Sequence, residues 1–119
     1  MLDYETQKQA DRELRGVMLT VLDVAASQAP GGWIEGPTLR LSVNTGRAEA
    51  LKCQSDRHFL RLVNELESRG YVEAQWTARR ITEQLAAKHV KLRRTAKASD
   101  LLLGNIPPDP SIDDGRTTN

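Results

Sequence analysis

The segment from Ser55 to Tyr71 constrains the fold more than any other part of the chain. Its apolar residues recur at the helical period and form one face, made of Phe59, Leu62, Val63 and Leu66. Ser55 is a good N-cap, and Gly70 is suited to end a helix. An aromatic residue and a valine follow that glycine at once. The pattern predicts a helix over Ser55–Arg69 that turns directly into a β-strand.

A β-hairpin is predicted after this helix. Apolar and polar residues alternate over Tyr71–Thr77 and again over His89–Arg94, as they do in half-buried strands. The connection between the two strands, residues 78–88, is rich in charge and has some helical character. Two strands joined by a basic connection form the kind of β-arm that is called a wing.

Another long helix is predicted from Glu5 to Ser27. Its apolar residues form one continuous stripe, made of Leu14, Val17, Met18, Val21, Leu22 and Ala25. The first part of this helix, Thr6–Glu13, is polar all round, so we expect it to be an exposed extension or to fray. Pro30 and the two glycines after it end the helix, because proline cannot continue it.

Shorter elements fill the remainder of the chain. Trp33 and Ile34 are predicted to form a short strand or to plug the core. A short helix is predicted over Pro37–Ser42, because proline suits the first turn of a helix. A turn at Asn44–Gly46 follows it. A last short helix is predicted over Ala96–Leu103.

Together these elements predict one mainly α domain with a small β-hairpin. At 119 residues the chain has the length of a single domain. We place that domain at residues 1–104 and expect residues 105–119 to form a flexible or loosely draped tail. The chain has neither an apolar run of membrane-spanning length nor a signal-peptide pattern at its start. We therefore expect a cytosolic protein without membrane contact.

Residue patterns typical of enzymes and metal sites are missing. Cys53 is the only cysteine, which makes an internal disulfide impossible, and the two histidines show no zinc-ligand spacing. The chain has no P-loop, no dinucleotide-binding glycine pattern and no Ser-His-Asp set. We therefore expect no enzyme activity, no metal and no cofactor. Cys53 is either a thiol activated at a helix N-terminus or, as is more frequent, a small buried filler.

The net charge of +1 hides an uneven distribution of charge. Residues 1–39 and residues 98–119 each carry a net −3, whereas residues 40–97 hold thirteen Lys or Arg against six Asp or Glu, a net +7. A local basic segment is typical of a nucleic-acid-binding face. The alternative is a solvated surface of mixed charge, which most proteins of this size have.

The order helix, short helix, turn, helix, hairpin, helix is that of a winged helix-turn-helix. The run LVNELESRGYVEA, residues 62–74, resembles the join between recognition helix and wing in bacterial regulators of the arsenic-repressor-like and multiple-antibiotic-resistance-like groups. The run HVKLRRTAKASDLLLG, residues 89–104, resembles their second wing strand and closing helix. Ala98 departs from that pattern, which usually has glycine there. The resemblance implies a winged-helix fold.

A closer resemblance is to small winged-helix proteins of Mu-like bacteriophages and prophages. The chain shares with them an Asp-Arg pair before the first apolar helix, here Asp11 and Arg12. It also shares a closing glycine followed by a short Pro/Asp tail, GNIPPDP at residues 104–110. The similarity spans residues 10–110. It implies a DNA-binding protein in the cytoplasm of a bacterial host cell.

Two groups of residues are candidates for DNA contact. The exposed side of the predicted helix Ser55–Arg69 carries the first group, because recognition helices contact DNA with residues near their N-terminus. These residues are Arg57, His58, Arg61 and Asn64. The predicted wing carries the second group, which is Arg79, Arg80, Lys88, Lys91, Arg93 and Arg94.

Each group also has an interpretation in which its residues do not contact DNA. The helix residues are then ordinary solvent-facing side chains. The same helix carries carboxylates that repel phosphate, namely Asp56, Glu65 and Glu67. In the wing, Arg93 and Arg94 then pair with Glu73 or Glu83.

Two functions are therefore predicted. The first is a phage or prophage transcriptional regulator that binds double-stranded DNA as a homodimer, paired through its first and last helices. The alternative is a winged-helix module for protein–protein contact in phage assembly or host takeover, without DNA binding. The carboxylates on the candidate recognition helix and the near-neutral net charge favour this alternative.

Overall fold

A computed structural model describes residues 2–77 and 85–113, which form four α-helices and three β-strands. In chain order these are α1 (Tyr4–Gln28), β1 (Ile34–Glu35), α2 (Gly36–Asn44), α3 (Asp56–Ser68), β2 (Val72–Trp76), β3 (Val90–Arg94) and α4 (Ala96–Leu103). Single 3₁₀ turns lie at Pro30–Gly32, Glu49–Leu51 and Ala87–His89. The domain is mainly helical with one small sheet, as the sequence predicts.

The signals at both ends of α3 act as predicted. The side chain of Ser55 accepts a hydrogen bond of 3.1 Å from the backbone N–H of His58, which caps the first turn. Gly70 follows the helix with a φ of 83°, a conformation that glycine adopts without steric cost. The four residues of the predicted apolar face are all buried. The predicted helix is confirmed.

The three strands form one antiparallel sheet in the order β1-β3-β2. Leu92 of β3 lies opposite Ala74 of β2 on one side and Ile34 of β1 on the other. The predicted hairpin is thus confirmed in its strands, and Ile34 takes the strand alternative rather than serving only as a plug. The first part of the connection, residues 78–84, lies outside the described residues, and its helical character stays a prediction.

The core lies between the helices and one face of the sheet. Its largest fully buried side chains come from α1, α2, α3, β3 and α4, namely Leu14, Met18, Leu19, Leu22, Leu39, Val43, Phe59, Leu62, Val63, Leu66, Leu92 and Leu101. Aliphatic residues dominate because the chain has few aromatic ones. At about 25 cal/mol per Å² of buried apolar surface, this cluster is the main source of folding free energy.

The polar start of α1 is neither a free extension nor frayed. Ala10 is 2% exposed and Asp11 is 6% exposed, so this part of the helix packs against the rest of the domain. At Ala10 and Asp11 the prediction of an exposed or frayed segment was therefore wrong. Asp11 has its partners on α3, and the local sequence pattern does not show such distant contacts.

Residues 105–113 lie against α1. The backbone N–H of Asp113 donates to the carbonyl of Arg12 at 3.0 Å, and Arg15 donates to the carbonyl of Ser111 at 2.9 Å. Ile112 is 4% exposed and belongs to the core cluster. This part of the predicted tail therefore contributes apolar contacts to the domain that we placed at residues 1–104. Residues 114–119 lie outside the described residues.

Within residues 2–77 and 85–113, no helix is both long enough and apolar enough to cross a membrane.

Replacing Ile112 with alanine tests the role of residues 105–113. We expect Ile112→Ala to lower the free energy of unfolding by about 2 kcal/mol, because a buried isoleucine is lost and a cavity is left. Urea denaturation followed by circular dichroism measures the change. The matched control is Leu103→Ala, since Leu103 is 71% exposed and its loss should cost less than about 0.5 kcal/mol. Equal effects of the two substitutions would show that Ile112 is not held in the core.

Candidate nucleic-acid interface

An open groove runs between the exposed side of α3 and the segment that leads into β3. Arg57, Arg61 and Asn64 line it from α3. Lys88 and His89 line it from the opposite wall, together with Leu85 and Ala86. The groove thus unites the four candidate residues of the helix with two basic residues near the start of β3.

The exposed side of α3 follows from its buried side. Because the apolar face of the helix is fully occupied in the core, the residues between those positions point outward. Arg57 and Asn64 are exposed, and the side chain of Arg61 is 50% exposed. The exposed side of α3 therefore presents Arg57 and Arg61 in its N-terminal half and Asn64 just past its middle.

The opposite wall is fixed by a close approach to α2. At Gly36 a Cβ would collide with the carbonyl oxygen of Ala87, so only glycine allows the 3₁₀ turn at Ala87–His89 to lie this close. The Nδ1 atom of His89 accepts a hydrogen bond of 2.9 Å from the backbone N–H of Ala86. Because Nδ1 accepts, the proton of the neutral ring is on Nε2. His89 is a groove residue that the sequence analysis did not include among the DNA contacts.

Two of the three carboxylates on α3 are paired with arginines. Asp56 Oδ1 lies 2.8 Å from the guanidinium of Arg40, and Glu65 Oε1 lies 2.7 Å from that of Arg15. Glu67 is exposed. The two ion pairs remove most of the repulsion that Asp56 and Glu65 would exert on a phosphate.

Arg57 and Lys88 are exposed cations of the groove. Among the described residues, neither side chain makes a hydrogen bond or an ion pair. Asn64 is likewise exposed and has no side-chain partner in the described part of the chain. Within residues 2–77 and 85–113, no contact therefore holds these three side chains back from a ligand.

His58 and Arg61 are instead held by Asp11 of α1. The Nε2 atom of His58 lies 2.8 Å from Asp11 Oδ1, and an Arg61 nitrogen lies 2.8 Å from Asp11 Oδ2. The other ring nitrogen of His58 accepts a hydrogen bond from the backbone N–H of Gln54 at 3.1 Å. Both nitrogens of His58 are therefore occupied within the protein, and its role in DNA contact stays a prediction.

The charge of Asp11 is stabilised by this contact. Burial alone would raise the pKa of the Asp11 carboxyl, but hydrogen bonds from Arg61 and His58, together with the positive charge of Arg61, hold the pKa below its usual value. Asp11 is therefore an anion at neutral pH, and it compensates part of the charge of α3 from the neighbouring helix.

The basic residues of β3 lie elsewhere. Arg93 is 4.6 Å and Lys91 is 5.3 Å from the ring centre of Trp33, and Arg93 also pairs with Glu73 at 3.0 Å. This Arg93–Glu73 pair agrees with the interpretation in which the residues of the wing do not contact DNA.

Arg94 pairs with Asp23 of α1 at 2.8 Å, not with Glu73. Arg79, Arg80 and Glu83 lie outside the described residues. The structure therefore brings the four helix candidates together in one groove but places Lys91, Arg93 and Arg94 against other partners.

Cys53 is a buried filler rather than an activated thiol. It is 3% exposed, and burial raises its pKa to about 11 although several arginines nearby oppose this. Over the described ranges 2–77 and 85–113, no three His, Cys, Asp or Glu side chains come together in a way that would hold a metal ion.

Comparisons of the chain with protein-family models, with curated proteins and with solved structures gave no match.

The burial of Cys53 predicts that its thiol reacts slowly with reagents in solution. At about pH 8 we expect Ellman's reagent to leave Cys53 unmodified while the protein is folded, because the thiolate is scarce and the sulfur is inaccessible. In a denaturing concentration of guanidinium chloride the same thiol should react at once. The absorbance of the released thiolate reports both rates. Rapid reaction of the folded protein would contradict the buried position.

The lowered pKa of Asp11 predicts a pH-dependent effect of Asp11→Asn. The folded-state pKa is below 3.8, so the carboxylate stabilises the fold above that pH, and this contribution is lost as the pH falls through the folded-state pKa. Urea denaturation at about pH 6 should show Asp11→Asn less stable than wild type, and this difference should shrink as the pH is lowered and the wild-type carboxyl takes up a proton. A difference that does not change with pH would show that the Asp11 charge has no role in stability.

Proposed function

We propose that this chain is a winged-helix protein that binds double-stranded DNA, with α3 as its recognition helix. Support comes from the order of elements, since two helices, α2 and α3, are followed by the β2–β3 hairpin and then by a closing helix. That order matches the one that the resemblance to bacterial and phage winged-helix proteins implies. A recognition helix in this arrangement has its apolar side on the core and its polar side outward, as α3 does.

The observation that carries the proposal is a set of exposed side chains on the two walls of the groove. Arg57 and Asn64 on α3, and Lys88 across the groove, are exposed and have no side-chain partner among the described residues. Arginine and asparagine are the side chains that bond guanine and adenine edges bidentately in the major groove. Lysine is suited to a phosphate. With Asp56 and Glu65 already paired, the groove favours a polyanion.

The dimensions of α3 fit this role. Thirteen residues at 1.5 Å each give a rod about 20 Å long, and the major groove of B-DNA is about 12 Å wide and admits one α-helix. Arg57 lies in the first turn of α3, the part of a recognition helix that reaches base edges.

The wider biological role extends this proposal. Action as a phage or prophage transcriptional regulator rests on the resemblance, and so does the homodimer through the first and last helices. The exposed apolar side chains that such a dimer could use are Tyr4 and Val24 on α1 and Leu103 on α4, which are 75%, 48% and 71% exposed. The remainder of the apolar surface of α1 serves the core of its own chain.

A protein-binding role has less support. Leu41 of α2 is 71% exposed, as is Leu103 of α4. Single exposed leucines are common on proteins that bind nothing through them. The free cations of the groove favour a polyanion over an apolar partner.

Binding of duplex DNA tests the proposal. We expect fluorescence anisotropy with labelled genomic fragments to show binding that weakens steeply between about 50 and 200 mM salt. Arg57→Ala should lower the affinity about tenfold and reduce the slope of log affinity against log salt by about 1, because one contact with DNA is lost.

Arg69→Ala is the matched control. Arg69 is exposed directly after α3, so its loss removes the same charge from the far end of the helix. We expect this variant to bind DNA within about twofold of wild type, the effect of a distant screened charge. Equal losses of DNA affinity in both variants would show that the protein binds DNA only through unspecific charge attraction. If wild type does not bind duplex DNA at low salt, and instead co-purifies with a protein, the alternative function replaces this one.

A further inference from the structure

Arg61 lies in the groove, but its charge is opposed by two carboxylates. One guanidinium nitrogen is 2.8 Å from Asp11 and another is 3.6 Å from Glu65. Arg57, one turn earlier on the same face of α3, has no such partner in the described part of the chain. The two arginines carry the same guanidinium group, but among the described residues only that of Arg61 is held by carboxylates.

Asp11 is the fixed partner of this pair, and Arg61 is the mobile one. The side chain of Asp11 is 8% exposed, and its Oδ1 atom also accepts hydrogen bonds from His58 at 2.8 Å and from Gln7 at 3.1 Å. The side chain of Arg61 is 50% exposed. A long exposed side chain can leave a buried carboxylate, whereas Asp11 cannot follow it into solvent.

The Asp11–Arg61 pair is not needed to join the two helices. Arg15 of α1 donates two hydrogen bonds to Glu65 of α3, of 3.1 and 2.7 Å, and the Arg15 side chain is 11% exposed. The His58–Asp11 contact is a second link, 10% and 8% exposed. The contact of Arg61 with Asp11 is the most exposed of the three links, because half of the Arg61 side chain lies in solvent.

We propose that Asp11 withholds Arg61 from DNA. The buried carboxylate takes the place of a phosphate at the Arg61 guanidinium, so that α3 binds duplex DNA through Arg57 while the charge of Arg61 stays occupied. This inference rests on the proposed function, and it names Asp11 as a positioning residue that acts through Arg61. A phosphate that recruits Arg61 must first separate it from Asp11, and that cost lowers the affinity for any DNA sequence.

The test is the affinity of Asp11→Asn for duplex DNA. Asparagine keeps an oxygen for His58 and Gln7 but removes the charge that holds Arg61. We expect the variant to bind more tightly than wild type, with a salt slope steeper by about 0.9, the value of one added phosphate contact. Its advantage over wild type should therefore grow about threefold as salt falls from about 200 to about 50 mM.

Two controls separate this effect from a simple gain of charge. Glu67→Gln adds the same charge on an exposed position of α3 without freeing an arginine. The double variant Asp11→Asn with Arg61→Ala removes the freed guanidinium and should lose the gain. If Asp11→Asn binds no better than Glu67→Gln, or if the double variant keeps the advantage, the proposal is overturned.

Arginine reactivity gives a readout that needs no DNA. Phenylglyoxal, followed by mass spectrometry, should modify Arg61 of the wild-type protein about threefold more slowly than Arg57, the ratio that a weak ion pair allows. In folded Asp11→Asn the difference between the two rates should shrink, because only the contact of Arg61 with Glu65 at 3.6 Å then remains. If Asp11→Asn does not fold, the wild-type ratio decides, and equal rates there overturn the proposal.

The outcomes distinguish this inference from the proposed function. If wild type binds DNA and Asp11→Asn matches Glu67→Gln, only the role of Asp11 fails. If neither wild type nor Asp11→Asn binds DNA, both proposals fail. If Asp11→Asn binds DNA more tightly than both wild type and Glu67→Gln, and the double variant loses this gain, both are supported.

Discussion

The seating of α3 against α1 is the interaction on which the rest of the structure depends. Both helices bury an apolar stripe in the same core, and the ion pair between Arg15 and Glu65 joins them at its edge. With that side of α3 fixed, the orientation of every other residue on the helix is determined. Arg57, Arg61 and Asn64 face outward because the positions between them are occupied inside. The surface that we propose for DNA binding is thus a consequence of core packing, and Asp11 of the neighbouring helix contacts Arg61 in it.

The sheet divides the basic residues of the chain between two places. β3 is the central strand, and its outward side chains meet Trp33 and Glu73, whereas Arg94 reaches Asp23. The segment just before β3 forms the second wall of the groove, where it is held by the close approach of Gly36 to Ala87. The net charge of +7 over residues 40–97 is therefore not one continuous patch. Among the described residues, Arg57 and Lys88 line the groove without a carboxylate partner, whereas Arg69, Lys91 and Lys97, which also lack one, lie outside it.

Elements with a local signature could be predicted from the sequence, and contacts between distant residues could not. Periodicity and caps located α1, α3 and α4 closely, and alternation located β2 and β3. The contact of Asp11 with His58 joins residues 47 positions apart, and nothing in a polar helical turn indicates it. The same holds for Ile112, whose burial depends on where the chain returns after α4. The residues of α3 that line the groove could be predicted together because a single helix carries them. His89 of the opposite wall could not be predicted, because the position of that wall depends on how α2 packs.

The most direct test of the account is a map of backbone amide shifts on titration of the protein with a short duplex DNA. Recognition by α3 predicts that shifts concentrate at residues 54–64 and 85–89, the two walls of the groove, while the amides of α4 stay in place. A map with its largest changes around Trp33 and β1, or on α4, would contradict α3 as the recognition helix even if the protein binds DNA.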